Sequence, residues 1–264
     1  TATKNFTGAI NVSDVSFTNL SVGNGSGWHL LGNPFTSSLQ WKNGDWAMTN
    51  IGGVAKIWDE AAGNYTDISS NGYIPSTNGF FVQAASSTST ITIPASARVH
   101  NSQNNNKKAD SIVNSETLRV LVVNNQNSYY DVSTIGFRDI STKEWDIDFD
   151  SRKLFGSDEA PQIWTQVQGE EFSTNYLPHT IDSYVLPLNF QAGVNGVYEF
   201  RFDGIESFYP DCYITIEDIL TDSSMNLEDV SSYSFLALTT DQPERFLIHF
   251  SGISNTEEPL IDNS

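Results

Sequence analysis

Residues 6–12 (FTGAINV) and 15–22 (VSFTNLSV) alternate apolar and polar side chains, the period of two expected of half-buried strands because successive side chains leave opposite faces. Within the first hundred residues, 54–58 (VAKIW), 65–68, 79–84 (GFFVQA) and 90–94 also read as short strands, separated by Gly or Asn turns. Farther on, 118–123 (LRVLVV) is a nearly continuous apolar run suited to a central strand. It is followed by strand-like stretches at 131–137, 185–190, 196–202, 212–219, 233–238 and 245–250. Between the two groups, residues 101–114 (NSQNNNKKADSIVN) have no apolar period and nothing to bury, as a solvated connector requires. The pattern predicts an all-β chain of two tandem β-sandwich, jelly-roll-like domains at 1–99 and 115–252. A linker at 100–114 and an acidic tail at 253–264 complete it.

One stretch organises the first half. Residues 27–35 (GWHLLGNPF) read as a strand that Gly32-Asn33-Pro34 stops, because proline lacks the N–H a ladder needs. Composition agrees with strands and turns. Hydrophobic residues make up 38% and aromatics 12%, with no long Ala/Leu/Glu/Lys run to build helices.

Charge narrows the partners. Thirteen Lys and Arg against 32 Asp and Glu leave a net charge of −19, which disfavours nucleic acid and anionic membranes. No 18-residue apolar run predicts membrane insertion, and the start, TATKNFTG, lacks a signal-peptide pattern, so a mature region or a piece of a larger polypeptide is expected. Cys212 is the single cysteine, which excludes an internal disulfide and a Cys-based zinc site.

The candidate chemistry is of three kinds. Sugar binding needs a flat ring with polar groups beside it, and Trp41, Asp45 and Trp46 around the Asn43-Gly44 turn, with Tyr65 and Tyr73, supply those parts. Trp46 is the ring expected to be exposed. Trp41 is open to two readings, a stacking platform or a staple behind the Pro34 turn, whereas Trp28 and Trp58 are expected in the core. Second, alternation through EWDIDF would put Glu144, Asp146 and Asp148 on one strand face, similar to the ExDxE strand of laminarinase-like glycoside hydrolases. Aspartate at 148, where that family has a glutamate acid/base, argues against a hydrolase built on Glu144 and Asp148. Third, Asp146, Asp148 and Asp150 have the oxygen ligands that calcium takes, at an unspecific spacing; surface solubility is the simpler use of the carboxylates. No GxSxG, HExxH, P-loop or GxGxxG pattern is present.

Residues 27–41, with Ser37, Ser38 and Trp41 after the turn, resemble the GWNLVGNPYPSxxxW signature found near the C-termini of large secreted Bacteroidota proteins, commonly just before a type IX secretion sorting domain. Ile57-Trp58-Asp59, Tyr65, Ile74-Pro75 and residues 79–84 follow in that group's order. So do Ile135-Gly136-Phe137, Lys153-Leu154-Phe155, Gly193 with Gly196-Val197-Tyr198, Ile205-Glu206-Ser207-Phe208, Ile216-Glu217-Asp218-Ile219 and residues 241–246 (DQPERF). The group's YDAxKL and TG turns differ here, as Asp150-Ser151-Arg152-Lys153-Leu154 and Thr221-Asp222. The resemblance implies a secreted, cell-surface-attached protein, with this chain as part of a larger polypeptide whose sorting domain would follow residue 264. Three roles are expected in order: a non-catalytic module binding polysaccharide or cell-surface glycan, or serving adhesion; a structural spacer between passenger and sorting domain; and, last, a hydrolase.

Overall fold

A computed structural model of the chain describes residues 7–23, 26–100, 116–179, 183–208 and 212–253. Most of the expected linker and tail, at 101–115 and 254–264, lies outside these residues. The described residues are all-β, with two three-residue 3-10 turns and no α-helix, hence no helix long and apolar enough to cross a membrane. The chain divides into two compact units: Thr1–Asp59 with Thr66–Ser111, and Ile112–Ser264 with Glu60–Tyr65.

The first unit carries β1 (Val15–Leu20), β2 (Trp28–Gly32), β3 (Ser38–Gln40), β4 (Ala47–Thr49), β5 (Ala55–Asp59), β6 (Asn64–Ile68, of which Asn64 and Tyr65 belong to the second unit), β7 (Tyr73–Ile74), β8 (Gly79–Gln83), β9 (Ser89–Ile93) and β10 (Arg98–Val99). They form three small sheets, ordered β1-β9-β4, β10-β3-β7 and β2-β8-β5-β6. The expected strand at 6–12 is not formed over its described residues: 7–12 are irregular and largely exposed, with Ile10 and Val12 65% and 64% exposed rather than packed in a core. β2 is the organising strand, antiparallel to β8 with Leu31 opposite Phe80, and both side chains enter the core. Gly27 is required at its entry. Its φ is +79°, and a Cβ there would lie 2.3 Å from the Ala84 carbonyl oxygen. Asn33 locks the exit: its Nδ2 donates to the carbonyls of Ser37 and Pro75, each at 2.9 Å, and its Oδ1 accepts the Phe35 N–H at 3.0 Å.

The second unit carries β11 (Thr117–Asn124), β12 (Tyr130–Phe137), β13 (Ser151–Arg152), β14 (Gln162–Val167), β15 (Glu170–Leu177), β16 (Ser183–Gln191), β17 (Gly196–Asp203), β18 (Tyr213–Asp218), β19 (Ser223–Asn226), β20 (Ser232–Ala237) and β21 (Phe246–Ser251). All eleven belong to one sheet, ordered β19-β18-β21-β16-β14-β15-β12-β11-β17-β20, with β13 on β15. The sheet curls into a sandwich. Phe200 on β17 and Phe235 on β20 each meet Phe246 on β21 at 4.8 Å between ring centres, so the two ends of the sheet face each other across one aromatic core. Gly136 on β12 has a steric reason: a Cβ there would lie 2.3 Å from the Tyr176 ring, which the Arg138 guanidinium caps at 4.4 Å.

The loop at 153–161 is held at both ends. At its start, Lys153 forms a buried ion pair with Asp131, whose Oδ2 also accepts the Ile163 N–H at 2.7 Å. Burial pushes the Asp131 carboxyl up, against the pull of Lys153. At its end, Gln162 accepts the Gly156 N–H at 3.1 Å and donates to the Ala160 carbonyl at 3.2 Å. Asn64 donates to the carbonyls of Tyr130 and Pro161, both at 3.0 Å. A Cβ on Gly156 would stand 2.0 Å from the Asn64 Oδ1, so glycine is what lets the loop lie there.

Candidate functional site

The aromatics chosen from the sequence do not come together as a platform. Trp41 is fully buried and donates its Nε1–H to the Gly53 carbonyl at 2.9 Å, as the staple reading required. Trp46, expected to be exposed, is buried as well: it is 9% exposed, meets Trp41 edge-on at 4.8 Å and donates to the Gln40 carbonyl. Positive φ at Lys42 (46°) and Gly44 (101°) folds the turn back on itself and carries Trp46 inward. Asp45 stays exposed on that turn, Tyr65 is half-buried in β6 and Tyr73 is 37% exposed on β7. Trp58, expected in the core, is 39% exposed because Ile57 takes the inward position of β5; Trp28 is half-buried.

The acidic strand is also corrected. Residues 138–150 form turns rather than a strand, so Glu144, Asp146 and Asp148 share no strand face. Asp146 and Asp150 close a reciprocal turn: Asp146 Oδ1 accepts the Asp148 N–H at 3.1 Å, and Asp150 Oδ2 accepts the Asp146 N–H at 2.7 Å. Asp150 Oδ1 accepts the Tyr176 N–H at 2.8 Å. Asp146, Asp148 and Asp150 therefore do not converge, and among the described residues no group of three or more His, Cys, Asp or Glu is placed to hold a metal ion. His179 shows why proximity is insufficient, since Asp139 and Glu116 bond its opposite ring nitrogens, at 2.7 and 2.9 Å.

Burial raises the Asp150 carboxyl from 3.8 to about 7, opposed by the hydrogen bonds from the Tyr176 and Asp146 N–H groups and aided by the charge of Asp146. The folded chain therefore holds this proton more tightly than the unfolded chain between about pH 4 and 7, and Asp150's contribution to stability falls as pH rises through that window. In urea titrations, the stability of the native chain relative to Asp150→Asn is expected to decline with a slope of at most about 1.4 kcal/mol per pH unit and to level off above pH 7. A flat difference across the window would refute the shift.

The 153–161 loop instead makes a concavity of about 160 Å3 on the second unit. Phe155, 41% exposed, forms one wall and meets Trp164 edge-on at 5.2 Å. Exposed Asp158 and Gln191, with Ser157 and the pinned Gln162, supply the polar lining. Gly193 lets the far wall close, because a Cβ there would lie 2.4 Å from the Glu159 backbone. The arrangement offers an aromatic face beside a carboxylate and an amide, which suits a small polyhydroxylated ligand.

A family model described as a domain of unknown function, DUF8693, matches residues 45–250. The chain belongs to this family. The DUF8693 match takes in β4 through almost all of β21, and with them Phe155, Asp158, Trp164 and Gln191; the 27–35 strand precedes it. No curated protein and no solved structure matches the chain. Sequence reasoning picked out Lys153-Leu154-Phe155 only as a motif; its usable signal was an aromatic followed at once by Gly156, inside a stretch that reads as a loop.

Proposed function

We propose that this chain is a non-catalytic carbohydrate-binding or adhesion module of a secreted, cell-surface protein, with the Phe155 concavity as its binding site. The observation that carries the reading is the partly exposed Phe155 ring beside Asp158 and Gln191 on a loop fixed at both ends. A fixed loop limits the ordering cost of binding. The likeness of residues 27–41 to a signature of secreted Bacteroidota proteins supports an extracellular setting, and the net charge of −19 suits an uncharged glycan better than nucleic acid.

The test is a polysaccharide pull-down and titration of the intact chain beside Phe155→Ala. Because Phe155 is 41% exposed, its truncation is expected to leave folding nearly intact while weakening glycan binding about tenfold, roughly 1.4 kcal/mol. Glycan binding untouched by Phe155→Ala would place the site elsewhere. The second reading, a structural spacer, draws on the inward packing of Trp41 and Trp46, and the absence of binding to every glycan tried would favour it.

A further inference from the structure

We infer that the recognition site continues from the concavity to the next rung of the sheet, Trp164 and Asn189, and that this pair takes neighbouring hydroxyls of an uncharged pyranose. The inference rests on the binding reading above. The register of β14 against β16 sets Gln162 opposite Gln191 and Trp164 opposite Asn189. Between them Ile163 and Phe190 point into the core, so the two rungs share the outer face, about 7 Å apart along the strands. Gln162 and Gln191 line the concavity, and Phe155 links the rungs by lining it while its ring covers Trp164.

Trp164 is 4% and Asn189 2% exposed, yet the indole Nε1–H and the amide Oδ1 have no hydrogen-bond partner. Folded proteins leave few such groups unpaired, because each carries its full desolvation cost. Asn189 Nδ2 donates to Gln166 Oε1 at 3.2 Å, which orients the amide and leaves Oδ1 as its free acceptor. The rung thus offers one donor and one acceptor on facing residues. Neighbouring sugar hydroxyls satisfy both, since each can donate and accept. The Phe155 ring packed edge-on against Trp164 is itself 41% exposed, so the indole is covered on that side by a side chain that can change rotamer. The ligand is uncharged because Asp158 is the only ionisable group lining the concavity, and Lys153, whose ammonium lies 5.8 Å from the Phe155 ring, is already paired with Asp131, so an acidic sugar would meet a like charge.

The experiment uses the intact chain with 15N-labelled indoles, six in all, titrated with cello-, xylo- and manno-oligosaccharides and separately with oligogalacturonate. Trp164→Phe assigns the Trp164 signal. A neutral oligosaccharide is expected to shift the Trp164 N–H resonance while oligogalacturonate leaves it in place. Trp164→Phe and Asn189→Leu are each expected to weaken neutral binding about tenfold, the scale of one hydrogen bond. Asp158→Asn is expected to admit oligogalacturonate. Binding that needs Phe155 but leaves the Trp164 N–H unmoved and Trp164→Phe at native affinity overturns the inference while sparing the binding reading. Oligogalacturonate binding to the native chain as tightly as a neutral sugar overturns it too. Failure of every sugar to bind overturns both. The indole signal is read on the native chain, so a variant that folds poorly does not remove the test.

Discussion

Replacing Trp41 with alanine is expected to destabilise the first unit by about 3–5 kcal/mol, the usual cost of truncating a fully buried tryptophan. The ring meets Trp46 at 4.8 Å and Phe80 at 6.2 Å, both edge-on, so its removal leaves two aromatic neighbours facing a cavity. The backbone of Trp41 adds a second tie, donating to the Gly72 carbonyl at 2.8 Å and accepting the Asn71 N–H at 2.7 Å. Trp41→Phe separates the two contributions of the side chain. It keeps most of the ring but leaves the Gly53 carbonyl, 2.9 Å from the indole nitrogen, without its donor, and is expected to cost about 1–3 kcal/mol. Chemical unfolding followed by circular dichroism measures both. An alanine variant within about 0.5 kcal/mol of the native chain, the range of surface substitutions, would mean that Trp41 is exposed in solution and would revive its reading as a sugar platform.

The same residue shows how far the sequence could be read. Alternation located β17 and β21 because each has one face on a core and one toward solvent, the condition under which a period of two appears, whereas β11 was found as a nearly continuous apolar run and β8 by the Gly and Asn turns around it. It did not reveal β15, Glu170–Leu177, where Ser173, Thr174 and Asn175 are all buried. A central strand with buried polar side chains has no polar face to mark it, and the Gln168-Gly169 turn, at φ 52° and 85°, was the remaining signal. Residues 144–149 failed in the opposite sense: they alternate, but the Asp146–Asp150 turn closes before a strand can form. The site was harder still to see. A tryptophan beside a tight turn looks the same in sequence whether the turn exposes it or folds it inward, and positive φ at Lys42 and Gly44 decided that for Trp46. Phe155 and Trp164 are nine positions apart, and only the loop's return over the sheet brings their rings together.

Two stretches that the sequence offered as separate motifs, 216–219 (IEDI) and 241–246 (DQPERF), turn out to be halves of one interaction, and breaking it is expected to have the second large effect. Arg245 Nε and Nη2 donate to the two oxygens of Asp218 at 2.9 and 2.7 Å, with the residues 6% and 1% exposed. Tyr233 OH donates to Asp218 Oδ2 at 2.7 Å, and Arg245 Nη1 donates to the Leu236 carbonyl at 2.7 Å, which ties β18, β20 and the entry to β21. Arg245→Met leaves the carboxylate buried without its cation and is expected to cost about 3–5 kcal/mol; Asp218→Leu with Arg245→Met should recover most of that loss. Burial pushes the Asp218 carboxyl up, but the hydrogen bonds from Arg245 and Tyr233 outweigh it and hold the group below its usual 3.8. The unfolded chain therefore takes up this proton first. The pair's contribution is complete above about pH 4 and is lost as pH falls through the lower folded value, so the gap between native chain and Arg245→Met should narrow in acid. Urea titrations at pH 7 and pH 3 measure it. A loss under about 1 kcal/mol at pH 7, the range of exposed ion pairs, would show that the pair is solvated and that the aromatic core alone holds this end of the sheet.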